Sequence, residues 1–176
     1  MSGGTKMAMS TEELLACCLK HLRYRKGKLY RRTAKGGRKI GNIAGHILPS
    51  GYCQVNICGE RHSAHRLIYL MHHKYLPDYV DHANRNPRDN RIVNLRACTK
   101  SQNCQNQKIN RQNKSGNKGV FWWHKRNRWI AYIDANNVRI NLGYFLTKEG
   151  AVAARHAAET QYHGEFSPSG LSEIGL

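Results

Sequence analysis

Apolar residues recur with two different periods along the chain, and each change of period marks an element. Ser10-Thr-Glu-Glu13 has the form of a capping box, and Leu14, Leu15, Cys18, Leu19 and Leu22 follow on one helical face. A short amphipathic helix is expected there. Residues 26–51 are rich in Gly, Lys and Arg, with short apolar pieces such as Lys39-Ile-Gly-Asn-Ile43 and a Pro49-Ser-Gly51 turn, which predicts short strands. Tyr52 to Ile57 alternates as a strand does, Gly59-Glu60 provides a turn, and Ser63 is placed to cap a helix carrying Leu67, Ile68, Leu70 and Met71. From Val80 to Thr99 two short strands flank a loop crowded with Asn, Arg and Pro. Thr99 to Gln102 then repeats the capping-box pattern just before Asn103.

The stretch Asn106 to Asn117 is polar and basic, with a Ser-Gly pair, and reads as a linker. Beyond it, Val120 to Trp123, Trp129 to Ile133 and Val138 to Leu142 alternate as three strands, with a turn at Asn136-Asn137. Thr147 caps an Ala-rich helix reaching about Tyr162, in which Ala151, Ala154 and Ala158 allow close approach to the sheet. The class is α+β. The expected division is an N-terminal helical segment at 1–25, a central domain at 26–108, a linker at 109–117, a small three-stranded antiparallel sheet packed on one helix at 118–168, and a tail at 169–176.

Charge narrows the function. Lys and Arg number 29 against 11 Asp and Glu, a formal +18, which points to a polyanion. Nucleic acid fits best, because each phosphate neutralised releases condensed counterions whatever the base sequence. A membrane does not fit: the apolar stretches are too short to span one, and residues 26–39 carry no amphipathic stripe. The start MSGGTKMAMS has no apolar signal core, so a cytoplasmic protein is expected, and a monomer. The six cysteines show no regular disulfide framework and are expected as thiols. Cys53, Cys58, His62 and His65 could make a zinc tetrahedron, but Cys53 and Cys58 fall on opposite faces of an alternating segment, so two small half-buried residues is the favoured reading.

Tyr79 to Asn106 is the most informative segment. Asp81 stands directly beside His82, Asn94 follows His82 by twelve positions, and Asn103 follows Asn94 by nine. Cutting a phosphodiester needs a base for water, a cation on the phosphate, and geometry that separates the two. Neighbours on a strand leave in opposite directions, so Asp81 and His82 suit a ligand and a base approaching from different sides. A helix starting at Thr99 can bring Asn103 back towards a cation held by Asp81, and such oxygen ligands suit magnesium or manganese better than zinc.

With His65-Arg66-Leu67, Val80-Asp81-His82, Asp89-Asn90-Arg91, Asn94-Leu95-Arg96 and Ser101 to Asn106, the segment resembles the HNH, or ββα-metal, endonucleases, particularly the phage and intron-encoded homing enzymes. The resemblance implies a central ββα-metal nuclease domain. It implies that His82 activates water, that Asp81 and Asn103 hold one divalent cation, Mg2+ or Mn2+, that Asn94 fixes the loop carrying His82, and that the products carry 5′-phosphate and 3′-hydroxyl ends. Asn103 stands where the family name places a second His, as in the homing branch.

In the C-terminal module, alternation turns Val120, Trp122, Trp129, Ala131, Ile133, Ile140 and Leu142 towards the helix and Phe121, Trp123, Ile130, Tyr132, Arg139 and Asn141 outward. Exposed aromatics beside Arg and Lys suit DNA, with Arg139 or Asn141 reaching base edges, Trp123 and Tyr132 on the same face, and Lys118, Lys125 and Arg128 on phosphates. Gly119-Val120, Trp129 to Ile133, Leu142 to Phe145, Thr147, Ala151, Ala154 and His163-Gly164 resemble the plant ethylene-response-factor (APETALA-type) domain, whose sheet lies in the major groove. Phe121, Trp123, Tyr132 and Asn141 depart from that pattern, so its target sequence does not carry over.

The leading expectation is a nuclease acting on double-stranded DNA, in the host cytoplasm if phage-encoded. The rival is a catalytically inactive DNA-binding regulator on the same scaffold, and a third reading is a zinc-stabilised RNA-binding module. Only the first accounts for Asp81, His82 and Asn103 together.

Overall fold

The computed structural model describes residues 9–34, 36–106, 109, 112–135 and 138–164. Its chain divides into two units, 1–97 and 98–176, each with its own core.

In the first unit, helix α1 (Thr11–His21) begins at the expected capping box: Glu13 N donates to Ser10 Oγ at 3.2 Å and Ser10 N to the Glu13 carboxylate at 2.9 Å. Leu14, Cys17 and Cys18 are buried, whereas Leu19 is exposed. The helix ends one residue before Leu22, which enters the core from strand β1 (Leu22–Arg25), so the apolar face is narrower than the periodicity suggests. Strand β1 pairs with β2 (Lys28–Arg31) across Lys26-Gly27. Both turn residues have positive φ, 46° and 76°, as a two-residue hairpin turn matched to the strand twist requires.

Strands β3 (His46–Ile47), β4 (Cys53–Ile57) and β5 (Glu60–Ser63) form an antiparallel sheet. The β4–β5 turn is Cys58-Gly59, one residue earlier than expected and again at positive φ (50° and 83°). The hairpin carries the polar Glu60-Arg-His-Ser63 into a strand that its composition does not announce. Helix α2 (Ala64–His73) leaves β5 directly, so Ser63 sits at the cap position without a capping side-chain bond. Its Leu67, Ile68 and Leu70 pack with Leu14, Cys18, Leu22, Leu29, Val55 and Ile57. Each such aliphatic side chain contributes roughly 1.5–3 kcal/mol. His72 and His73 lie exposed at the helix end, as expected.

One cysteine expectation is corrected. Cys17 of α1 and Cys58 form a disulfide, Cα atoms 6.7 Å apart, so these two are not the expected thiols. The grouping Cys53, Cys58, His62 and His65 is not assembled, because Cys58 at the hairpin tip turns to α1 while His65 turns to Tyr52 and His82. Strands β6 (Tyr79–His82) and β7 (Leu95–Cys98) pair and carry the loop between them.

The second unit starts with α3 (Lys100–Asn106), whose capping box is formed: Thr99 N donates to Gln102 Oε1 at 2.8 Å and Gln102 N to Thr99 Oγ1 at 3.3 Å. Strands β8 (Val120–Trp123), β9 (Arg128–Ala135) and β10 (Val138–Phe145) lie in the antiparallel order β10-β9-β8, and α4 (Lys148–His163) packs on them. Val120, Ala131, Ile133, Ala151 and Ala158 are buried, while Phe121, Arg139 and Asn141 are exposed, matching the alternation. A β-bulge between Asn141 and Gly143 resets the register, so Tyr144 faces out. The Asn136-Asn137 turn, part of the 109–117 linker and the 169–176 tail lie outside the described residues.

The sequence did not reveal a buried ion pair on α4: Arg155 Nε donates to Glu159 Oε1 at 3.0 Å and its NH1 to Tyr132 O at 2.8 Å. Gly119 approaches the same strand, with φ 71° and its carbonyl accepting from Tyr132 N at 2.8 Å; a Cβ there would strike the Tyr132 carbonyl. Gly119→Ala is therefore expected to destabilise this unit by about 1–3 kcal/mol or more. All three tryptophans belong to the unit, so urea unfolding followed by tryptophan fluorescence reads the change directly.

Candidate active site

Strand β6 is buried from Val80 through His82 although its residues alternate, because both faces are covered. Asp81 and His82 have different polar partners, with Tyr52 in reach of both. Asp81 Oδ2 accepts from Arg96 of β7, from Nε at 3.2 Å and NH2 at 3.1 Å. His82 instead meets His65 of α2, ring centroids 4.9 Å apart, and Tyr52, at 5.8 Å. Its Nε2 lies 2.9 Å from Asn90 Oδ1. A carboxamide oxygen only accepts, so Nε2 donates in this contact.

The loop from 83 to 94 is held by carboxamides. Asn94, itself buried, accepts from Asn84 N on Oδ1 at 2.9 Å and donates from Nδ2 to Asn84 Oδ1 at 3.0 Å and Asp89 O at 2.7 Å. Asn84 also donates to Asp89 Oδ2 at 2.8 Å. Asn86 N and Arg88 N close short turns on Asn84 Oδ1 and Asn86 Oδ1, at 2.9 and 3.1 Å. Asp89 is pulled down to about 2, first by its hydrogen bonds from the Arg91 side chain, and stays ionised. Asn90, buried and next to this lock, is thereby aimed at His82.

Comparison with known proteins gives these residues a family. Residues 62–105 match the model of the HNH endonucleases. The chain is also similar to Protein 3.8 of Escherichia phage T7, 30% identical over 91 residues that make up 51% of this chain and 73% of that protein. The chain belongs to the HNH endonuclease family. No solved structure matches it.

The HNH match runs from β5 to α3. Within it, Asp81, His82 and Asn94 are brought together in the first unit, while Asn103 is carried by α3 in the second, its N–H bonded to Thr99 O at 2.9 Å. The motif included Arg96, Asn90 and His65 without giving them roles, and Tyr52 lay outside it. Arg96 and Asn90 stood in the motif, but nothing in the spacing distinguished them from other loop polar residues. Tyr52 and His65 come from elements folded onto β6, which spacing cannot show.

In the second unit Lys118 Nζ donates to the carbonyls of Cys104 and Gln105, at 2.5 and 3.2 Å. Arg139 pairs with Asp134 at 2.8 Å and lies 4.1 Å over the Tyr132 ring, and Trp123 lies beneath Arg126 at 4.9 Å. Asn141 Oδ1 accepts from Gly143 N at 3.0 Å, across the bulge. Arg128 NH1 donates to Asn127 O at 2.9 Å, and Lys125 sits exposed on the turn after β8.

Burial, with His82 and Arg66 nearby, pushes His65 from 6.5 down to about 3, so the fold holds it neutral. The unfolded chain protonates this imidazole near about 6.5 and the native one does not, so stability is lost as pH falls from about 6.5 towards about 3. The loss from this group reaches about 1.4 kcal/mol per pH unit. His65→Phe should flatten the dependence. Urea unfolding followed by far-ultraviolet circular dichroism across that window checks it, and an unchanged slope would refute it.

Proposed function

We infer that the chain is a metal-dependent endonuclease of the homing type, which hydrolyses phosphodiester bonds in double-stranded DNA. The carrying observation is that adjacent residues have separate polar partners: His82 is oriented through Nε2 by Asn90, and Asp81 is held by Arg96. A histidine whose Nε2–H is tied to a carboxamide offers Nδ1 to take the proton of an attacking water. Asn94 positions it through the loop. Membership of the HNH family supports DNA as the substrate, and the charge of +18 supplies a sequence-independent attraction to it.

The resemblance to HNH enzymes assigns Asp81 and Asn103 to one divalent cation. Carboxylate and carboxamide oxygens are hard donors that fit Mg2+ or Mn2+, and Arg96 keeps the Asp81 carboxyl oriented. When bound, the cation supplies positive charge at the phosphate and the leaving 3′ oxygen. One site in one monomer cuts one strand at a time. Similarity to a phage protein supports action in a host cytoplasm, and among the described residues no helix is long and apolar enough to cross a membrane.

His82→Ala should lower cleavage about a hundred- to ten-thousand-fold while leaving DNA affinity within a few-fold, because a general base acts in the chemical step. Asp81→Ala should abolish cleavage even in excess Mg2+ or Mn2+, and a chelator should do the same to the parent protein. Gel assays of nicking and of binding on long DNA separate the two readouts. Binding with no cleavage in any metal would favour the inactive regulator instead.

The DNA-reading role falls to the module at 118–168, joined by the 109–117 linker to a nuclease part at 26–108. Phe121, Arg139 and Asn141 are exposed, with half-buried Trp123 and Tyr132 beside them, and they form the outward sheet face that would meet DNA, with side chains that differ from those of ethylene-response-factor domains. Lys125 and Arg128 suit phosphates. Lys118, engaged with the end of α3, would have to exchange those carbonyls for phosphate. Arg139→Ala should cost roughly 1–3 kcal/mol at a cognate site and little on scrambled DNA, whereas Lys125→Ala should weaken both about equally and reduce the salt slope by about one. Binding isotherms on both duplexes at several salt concentrations distinguish them.

A further inference from the structure

Cys17, His21 and Cys58 lie outside the nuclease motif. Their ligand atoms lie within 4.8 Å of one another. Cys17 and His21 are one turn apart on α1 and so share a face, while Cys58 reaches them from the β4–β5 turn. The imidazole is already oriented: His21 Nδ1 lies 2.8 Å from Thr33 Oγ1. With Nδ1–H donated to that hydroxyl, Nε2 carries the lone pair. Metal-binding histidines are tethered in this way through the ring nitrogen that does not bind the metal.

The spacing suits an ion. Zinc holds sulfur at about 2.3 Å and imidazole nitrogen at about 2.0 Å in a tetrahedron. The Cys17 and Cys58 Cα atoms, 6.7 Å apart, stand at the far end of what a disulfide spans and leave room for a bridging metal. Two thiolates and one imidazole select zinc over magnesium, so this set does not compete for the cation of the nuclease site. Two thiolates also cancel the charge of Zn2+, which adds no repulsion to a chain already at +18.

We propose that the reduced chain binds one zinc ion through Cys17 Sγ, Cys58 Sγ and His21 Nε2, with water as the fourth ligand. Disulfide and zinc complex are then two states of the same sulfur pair. Zinc binding to the dithiol releases one proton from each sulfur and changes no oxidation state. In either state α1 is fastened to the β4–β5 hairpin. The proposal does not depend on the nuclease reading.

The test uses full-length protein, reduced with a phosphine, freed of reductant without oxygen, and titrated with cobalt(II). The expected result is a thiolate-to-cobalt charge-transfer band with intense tetrahedral visible bands, saturating at about one equivalent, displaced by zinc and unaffected by magnesium. Cys58→Ser, in an exposed turn, and His21→Ala should lose that spectrum, and Cys104→Ser, outside the cluster, should keep it. Thr33→Val should weaken zinc about 10- to 100-fold, an effect a merely structural contact would not produce. Absence of saturable colour in the reduced parent protein, or an unchanged spectrum in Cys58→Ser, overturns the proposal. The parent titration decides even if a variant fails to fold.

Discussion

Everything at the candidate site depends on how the twelve residues between β6 and β7 are held, because the loop is mostly polar and Ile92, near its end, packs against the apolar core. Asn94 does the holding. Its buried carboxamide makes three hydrogen bonds to the loop's backbone and to Asn84, and its own carbonyl accepts from Ala83 N at 2.9 Å. A neutral hydrogen bond contributes only about 0.5–1.5 kcal/mol net, but leaving its partner buried and unpaired costs more. A network closed on every side therefore specifies one loop conformation more strongly than its energy suggests. From that conformation Asn90 reaches His82, and the orientation of the imidazole follows.

Much of this was legible in the sequence. Capping boxes at Ser10 and Thr99 announced two helices because the signal is local: a short polar side chain and a longer one three residues on satisfy each other's backbone donors. The sheet of the second unit was legible because Val120, Ala131 and Ile133 alternate with outward residues, a pattern that burial on one face imposes directly. The spacing of Asp81, His82 and Asn94 was legible for another reason: the loop between two paired strands fixes the count.

What escaped the sequence was set by contacts distant along the chain. Strand β5 is polar and is a strand only because Cys58-Gly59 folds it back on β4. Leu19 fits the helical period but is exposed because the chain leaves the helix at Leu22. Cys17 and Cys58 are 41 residues apart, and no spacing rule pairs them. The Arg155–Glu159 pair looks like an ordinary exposed helix pair in the sequence. It is buried because the small residues around it bring α4 close enough to the sheet for Arg155 to reach the Tyr132 carbonyl.

The bulge at Asn141-Gly143 has a consequence for how the molecule behaves in a crowd. Strand β10 is an edge of its sheet and eight residues long, and an uninterrupted edge of that length is a template onto which a second chain can add a strand. The bulge breaks the regular row of donors and acceptors near its middle, and Asn141 Oδ1 occupies the amide of Gly143. An aromatic, cationic face can thus be displayed to solvent beside an edge ill-suited to polymerisation.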